Sequence, residues 1–137
     1  MKSIEEQLIL HEGLRKKPYR CTEGKLTIGV GRNLDDKGIS KEEALFLLRN
    51  DIHEVMDALE KHEWYLALDP IRQKVVIDMA YNLGVGGLLK FRKMIAALEY
   101  GDYEGAADQM LDSRWAEQVG MRATRLAEMM RSGRDYA

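Results

Sequence analysis

The sequence predicts a mostly helical α+β protein, one domain with two lobes, on three observations. Its 137 residues suffice for a real hydrophobic core but not for two independent domains. Helical spacing of apolar residues dominates, yet between residues 19 and 31 it gives way to alternation, the period of a strand. One amphipathic stretch, about 41–61, is long for this chain. A helix of about 20 residues reaches about 30 Å, which suits a strut between two lobes.

Composition narrows the function classes. Hydrophobic residues at 45% and charged residues at 32% describe an ordinary folded protein and argue against disorder. A net charge of −2, spread evenly over the chain, supplies no basic stripe for nucleic acid. The single cysteine cannot form an internal disulfide. The opening MKSIEEQLILHEG has an acidic pair before a very short apolar run, so neither a signal peptide nor membrane insertion is expected.

Taken in order, Ser3 followed by Glu6 is a capping-box pattern for a first helix that Gly13 would close. Ile4, Leu8 and Glu12 share one face of it, so the carboxylate ends an apolar stripe at a helix C-terminus, surroundings that suit a proton donor. After Pro18 comes the alternating segment, with Thr22-Glu23-Gly24-Lys25 as the turn of an antiparallel hairpin. A three-residue loop with Gly24 near a bulge is expected to set Cys21 opposite Thr27, bringing the two polar groups together.

Ser40 and Glu43 form the capping box of the strut, along which Leu45, Leu48, Ile52, Val55, Met56 and Leu59 recur at helical spacing. Asp69-Pro70 opens a helix that is apolar almost all round and should be the buried centre of the second lobe, ended by Gly84-Val85-Gly86-Gly87. Further helices are expected at about 88–99, 103–112, 114–118 and 121–131. Met94, Met110, Met121, Met129 and Met130 are expected in the core. Arg114, Arg122, Arg125, Arg131 and Arg134 read as a solvated helix face.

Several chemistries fail on the pattern. Residues 33–44 imitate a calcium loop, but with Gly38 at the invariant glycine, Ala44 stands where the bidentate glutamate belongs. The glycines at 84–87 lack a preceding strand and a following Lys-Ser/Thr, so they are no phosphate loop. His11, His53 and His62 are scattered and one cysteine completes no zinc site, so no metal is expected. No nucleophile turn of a Ser-His-Asp hydrolase is present. Taken singly, Glu12 also fits a solvated helix end, Cys21 a small buried hydrophobe and Thr27 a plain strand former.

The spacing of the three changes their standing. Glu12, eight residues, Cys21, five residues, Thr27 resembles the Glu-x8-(Asp or Cys)-x5-Thr pattern of phage-type lysozymes (endolysins, muramidases) of glycoside hydrolase family 24. The surrounding EGLRKKPYRCTEGKLTIGVGRN, GISKEEA, DPIRQKVVIDMAYNLGVGG and DYEGAADQMLDSRWAEQVGMRATRLAEMMRSG are similar to that family in the same order. The resemblance implies a single lysozyme domain over 1–137. It would comprise a β-containing lobe at about 13–40, a connecting helix at about 41–61 and a helical lobe at about 62–137, with helix 1–12 near the junction and a cleft between the lobes.

It also implies a hydrolase that cuts the β-1,4 bond between N-acetylmuramic acid and N-acetylglucosamine in bacterial peptidoglycan, causing bacteriolysis, with no metal and no organic cofactor. Glu12 would protonate the departing oxygen, and Cys21 with Thr27 would place and activate water on the opposite face. Inverting hydrolases hold the two groups roughly 6.5 to 9.5 Å apart. Cys21 in place of the commoner Asp leaves base, water-positioning group and nucleophile all open. Gly31, Asn33, Leu34, Tyr81, Asn82, Gln109 and Arg122 match saccharide-contact positions, and Arg122 also matches an arginine that pairs with the catalytic glutamate. The expected partner is peptidoglycan, met by a monomer that accumulates in the host cytoplasm before lysis. A peptidoglycan-binding domain without activity and a lytic transglycosylase are the competing readings.

Overall fold

The computed structural model describes residues 3–136. It is a mostly helical α+β chain with one small sheet, and it divides into two compact units, Met1–Leu47 and Leu48–Ala137.

The first unit starts with α1 (Ile4–Glu12), where the Ser3 hydroxyl accepts the Glu6 N–H at 3.0 Å and Gly13 ends the helix at φ +79°. Three antiparallel strands follow in the spatial order β1-β2-β3: Arg15–Arg20, Leu26–Gly29 and Arg32–Asn33. The strand β1 starts before Pro18, which it tolerates because it is an edge strand with an irregular register between Arg15 and Tyr19. A one-turn helix α2 (Leu34–Lys37), capped by Asn33, occupies the start of the stretch that imitates a calcium loop. At α3 (Lys41–Leu59) the expected capping box is complete: Ser40 N–H donates to Glu43 Oε1 at 2.8 Å, and Glu43 N–H donates to Ser40 Oγ at 3.1 Å.

Two expectations for this unit are corrected. The apolar stripe of α1 does not cover Glu12: Ile4 and Leu8 are 63% and 44% exposed, and Glu12 is exposed too. The hairpin pairs Thr27 with Tyr19 and Leu26 with Arg20, so Cys21 is not opposite Thr27. The loop is Thr22-Glu23-Gly24, closed by Gly24 N–H to Cys21 O at 2.8 Å and Cys21 N–H to Lys25 O at 2.9 Å. Gly24, at φ +77°, takes the left-handed position of such loops. Three loop residues place Cys21 opposite Lys25, two positions from the expected partner.

The second unit contains the remainder of α3, then α4 (Glu63–Leu66), α5 (Pro70–Leu83), α6 (Val85–Leu89), α7 (Arg92–Glu99), α8 (Tyr103–Leu111), α9 (Arg114–Val119) and α10 (Met121–Ser132). As expected from Asp69-Pro70, the aspartate side chain accepts the Arg72 N–H, and Val75, Val76, Met79 and Ala80 of α5 are buried. Helix α10 packs on α8 and α5, and α7 packs on α8. Arg72 donates to Met130 O at 2.7 Å and Arg131 O at 3.0 Å, satisfying carbonyls at the end of α10.

Here too the structure departs from the pattern. Only Gly84 ends α5; Gly86 and Gly87 lie inside α6, held there by Leu88, which is fully buried. The expected helix at 88–99 is therefore two helices, broken at Lys90–Phe91. Met94, Met110, Met129 and Met130 are buried, but Met121 is 63% exposed because it opens α10 directly after Gly120. The short α4, which buries Tyr65, had no signal of its own in the sequence.

Candidate active site

Glu12 is the last residue of α1, so its side chain leaves the helix where the chain turns at Gly13. Its carboxylate rests on the α-carbon of Gly31, in the turn between β2 and β3. A Cβ at Gly31 would stand 2.7 Å from Glu12 Oε2 and 3.1 Å from its Cδ. Gly31 has φ +66°, so both backbone and space demand glycine.

Cys21 and Thr27 meet by a different route from the one expected. A strand's side chains alternate, so moving the register by two residues keeps the same face. Thr27 and Lys25 share that face, and Cys21 lies diagonal to Thr27 instead of opposite it. The Cys21 thiol is held below the ordinary thiol range, first by the Lys25 amide and then by the Glu23 amide. The Thr27 hydroxyl adds to this, while partial burial and the Glu23 charge oppose it.

Thr27 is the one buried polar side chain among the described residues, 4% exposed on the central strand. Its hydroxyl donates to Lys25 O at 2.9 Å. A hydroxyl has one proton, so it cannot serve Lys25 O and a Cys21 thiolate at the same moment. Donating to a thiolate would require the proton to swing away from Lys25 O.

The hairpin is fastened by residues that sequence reasoning missed. Asp35 Oδ2 accepts the Leu26 N–H at 2.7 Å and lies 3.5 Å from Arg20. Asp36 pairs with Lys25 Nζ at 3.2 Å. The acids that imitate a calcium loop therefore hold the turn that carries Cys21. Arg32 meets Glu43 in two hydrogen bonds, Nη1 to Oε1 at 3.0 Å and Nη2 to Oε2 at 2.7 Å, and Nη1 also donates to Gly38 O at 3.0 Å. That pairing holds the Glu43 carboxyl well below the usual range, at about 2. Spacings of 9 and 11 residues link strand to helix and leave no local pattern.

The other expected residues have varied surroundings. Asn33 stands opposite Thr27, but its Oδ1 accepts the Asp36 N–H at 3.0 Å and its Nδ2 donates to Asp36 Oδ2 at 2.9 Å. Its amide is thus occupied in capping α2, which Leu34 begins. In the second unit, Arg122 Nε donates to Asp78 Oδ1 at 2.8 Å, a partner not foreseen. Asn82 Oδ1 accepts the Trp115 Nε1–H at 2.8 Å. Tyr81 is 45% exposed and lines two pockets, one of about 520 Å³ with Asp51 and Glu54, the other of about 260 Å³ with Asp78 and Arg122. Gln109 lines a further pocket of about 400 Å³ with Lys90, Arg92 and Lys93. Among the described residues no group of three His, Cys, Asp or Glu is placed to hold a metal ion, and no helix is long and apolar enough to cross a membrane.

The fold and these positions define an α+β protein that presents a carboxylate, a thiol and a hydroxyl on one small antiparallel sheet and the helix before it. A family model described as phage lysozyme matches residues 10–131, and the chain belongs to that family. It is 30% identical to the pre-baseplate central spike protein Gp5 of Enterobacteria phage T4, over 96% of this chain and 28% of that protein. It is 27% identical to the probable T4-type lysozyme 1 of Dictyostelium discoideum, over 96% of this chain and 95% of that one. To the endolysin of Bacillus phage B103 it is 34% identical, over 80% of this chain and 42% of the endolysin. The chain thus spans less than half the length of two of these relatives.

Proposed function

We propose that this protein is a lysozyme that hydrolyses the β-1,4 bond between N-acetylmuramic acid and N-acetylglucosamine in bacterial peptidoglycan. The observation that carries the reading is the Glu12 carboxylate seated on Gly31, in the same unit as a thiol whose surroundings favour the thiolate. Membership of the phage lysozyme family and the lysozyme and endolysin names of relatives support it.

In this reading Glu12 gives its proton to the glycosidic oxygen as the bond to the anomeric carbon breaks. Water attacks that carbon from the opposite face and loses a proton to Cys21. One proton leaves the enzyme and one returns, so atoms and charge balance. Thr27 orients the water, since its lone pairs can accept from it. This is an inverting course, which requires acid and base far enough apart to admit water, roughly 6.5 to 9.5 Å. Tyr81, Asn82, Gln109 and Arg122 contact saccharide, as do Gly31, Asn33 and Leu34.

The test is to digest purified peptidoglycan and identify the new ends. Reducing N-acetylmuramic acid is the expected product. Anhydro ends would assign a lytic transglycosylase instead, and absence of cleavage a binding domain. Glu12→Gln should stay folded and abolish cleavage; retained turnover refutes the acid assignment.

A further inference from the structure

We propose that Arg32, held by Glu43, is a positioning residue for Glu12: it anchors the Gly29-Val30-Gly31 turn on which the Glu12 carboxylate rests. This depends on Glu12 being the proton donor, and the test below separates the two.

The seat is poor at holding itself. Gly29 and Gly31 both have positive φ, +69° and +66°, and neither has a side chain with which to pack. Glycine pairs are among the least stiff elements of a chain. Against the turn lies a pocket of about 590 Å³ whose lining includes Ile28, Val30, Ile39, Phe46 and Leu47. Val30 is 38% exposed and Phe46 61%, so close packing does not brace the turn from behind.

What braces it is polar. Arg32 follows Gly31 directly and pairs across the ladder with Ile28. Its guanidinium then makes three hydrogen bonds, two to Glu43 and one to Gly38 O. Glu43 is itself fixed, because its Oε1 accepts the Ser40 N–H and its own N–H is capped by Ser40 Oγ. The tether therefore ends in the first turn of a helix of 19 residues.

The energetics point to geometry over stability. The two side chains are 28% and 42% exposed, and ion pairs of that kind contribute little to folding. A planar two-bond pairing, however, restricts orientation as well as distance. Displacing a reacting group by about 1 Å can cost about a hundredfold in rate, so a device that holds the Glu12 seat within that tolerance has value in the chemical step.

The experiment uses the full chain and soluble, uncross-linked peptidoglycan strands, with kcat and KM measured for Glu43→Gln, Arg32→Met, Gly31→Ala and Glu12→Gln. Thermal melts establish that each is folded at the assay temperature. Glu43→Gln and Arg32→Met should lose about tenfold in kcat with KM within about twofold. Because Glu43→Gln and Gly31→Ala act through the same turn, their combined loss in kcat should be smaller than the product of the single losses. Unchanged kcat in Glu43→Gln, or losses that multiply, overturns the proposal. If Arg32→Met does not fold, Glu43→Gln, of nearly the same shape, carries the test. Turnover by Glu12→Gln refutes the acid assignment and the positioning role with it. An inactive Glu12→Gln beside a fully active Glu43→Gln refutes the positioning role alone.

Discussion

Cys21 reaches Thr27 along a diagonal of the hairpin, while Tyr19 is the residue opposite it. The diagonal depends on the three-residue loop, and the Glu23 amide within it and the Lys25 amide just after it also face the sulfur. Alkylation by iodoacetamide should therefore be half-maximal at a lower pH than for a free cysteine thiol. Thr27→Val should raise that pH and leave the loop amides to act alone. Alkylated protein of unchanged fold should not cleave peptidoglycan, whereas Cys21→Asp should. Normal cleavage by the alkylated protein would make the thiol a bystander.

Gly31→Ala should be damaging in two separable ways. The positive φ should cost about 1–3 kcal/mol of stability, read as a lower denaturation midpoint. The added methyl, 2.7 Å from Glu12 Oε2, should also displace the carboxylate. At a temperature where the variant is fully folded, kcat should still be down at least about tenfold. A variant that loses stability but keeps its full kcat would show that the contact is incidental.

Glu43 gives a pH dependence with a defined sign. Its folded value of about 2 lies below the ordinary 4.5, so its contribution to stability is present above about 4.5. It is lost as pH falls from there through about 2. The melting temperature of Glu43→Gln should converge with that of the parent protein towards pH 2 and differ most above pH 5. Parallel curves across that window would show that Arg32 does not interact with the charge.

The methionines offer a contrast within one residue type. Met110 is fully buried, so Met110→Ala should cost about 2–5 kcal/mol. Met121 is 63% exposed, and Met121→Ala should stay within about 0.5 kcal/mol. Chemical denaturation of the two variants side by side checks both.

Local signals were legible in the chain and non-local ones were not. Ser3, Ser40 with Glu43, and Asp69-Pro70 each mark a helix start because a cap is written within three or four residues. The loop length of the hairpin was readable from Gly24, but the register that follows from it was placed two residues away. Its parity survived, which is why Cys21 and Thr27 still share a face. The Arg32–Glu43 and Asp35–Leu26 links join strands to helices that sequence periodicity treats separately, so nothing in a local window announces them. Periodicity also put Met121 in the core, because it reports which residues repeat on a face without showing where the helix begins. Glu12, Cys21 and Thr27 are proposed on their spacing, whereas the residues that hold them are visible only in three dimensions.

Met79, Met94, Met110 and Met130 are all fully buried in the helical unit. Unbranched thioether chains have three rotatable bonds and conform to irregular gaps, so a neighbour that gains or loses a methylene can be absorbed by a rotamer change. Cores that conserve volume and pattern tolerate many such exchanges. Such a core leaves wide latitude for sequence drift. The helical unit could exchange most of its interior over evolutionary time while the glycine turn under Glu12, which has no such slack, could not.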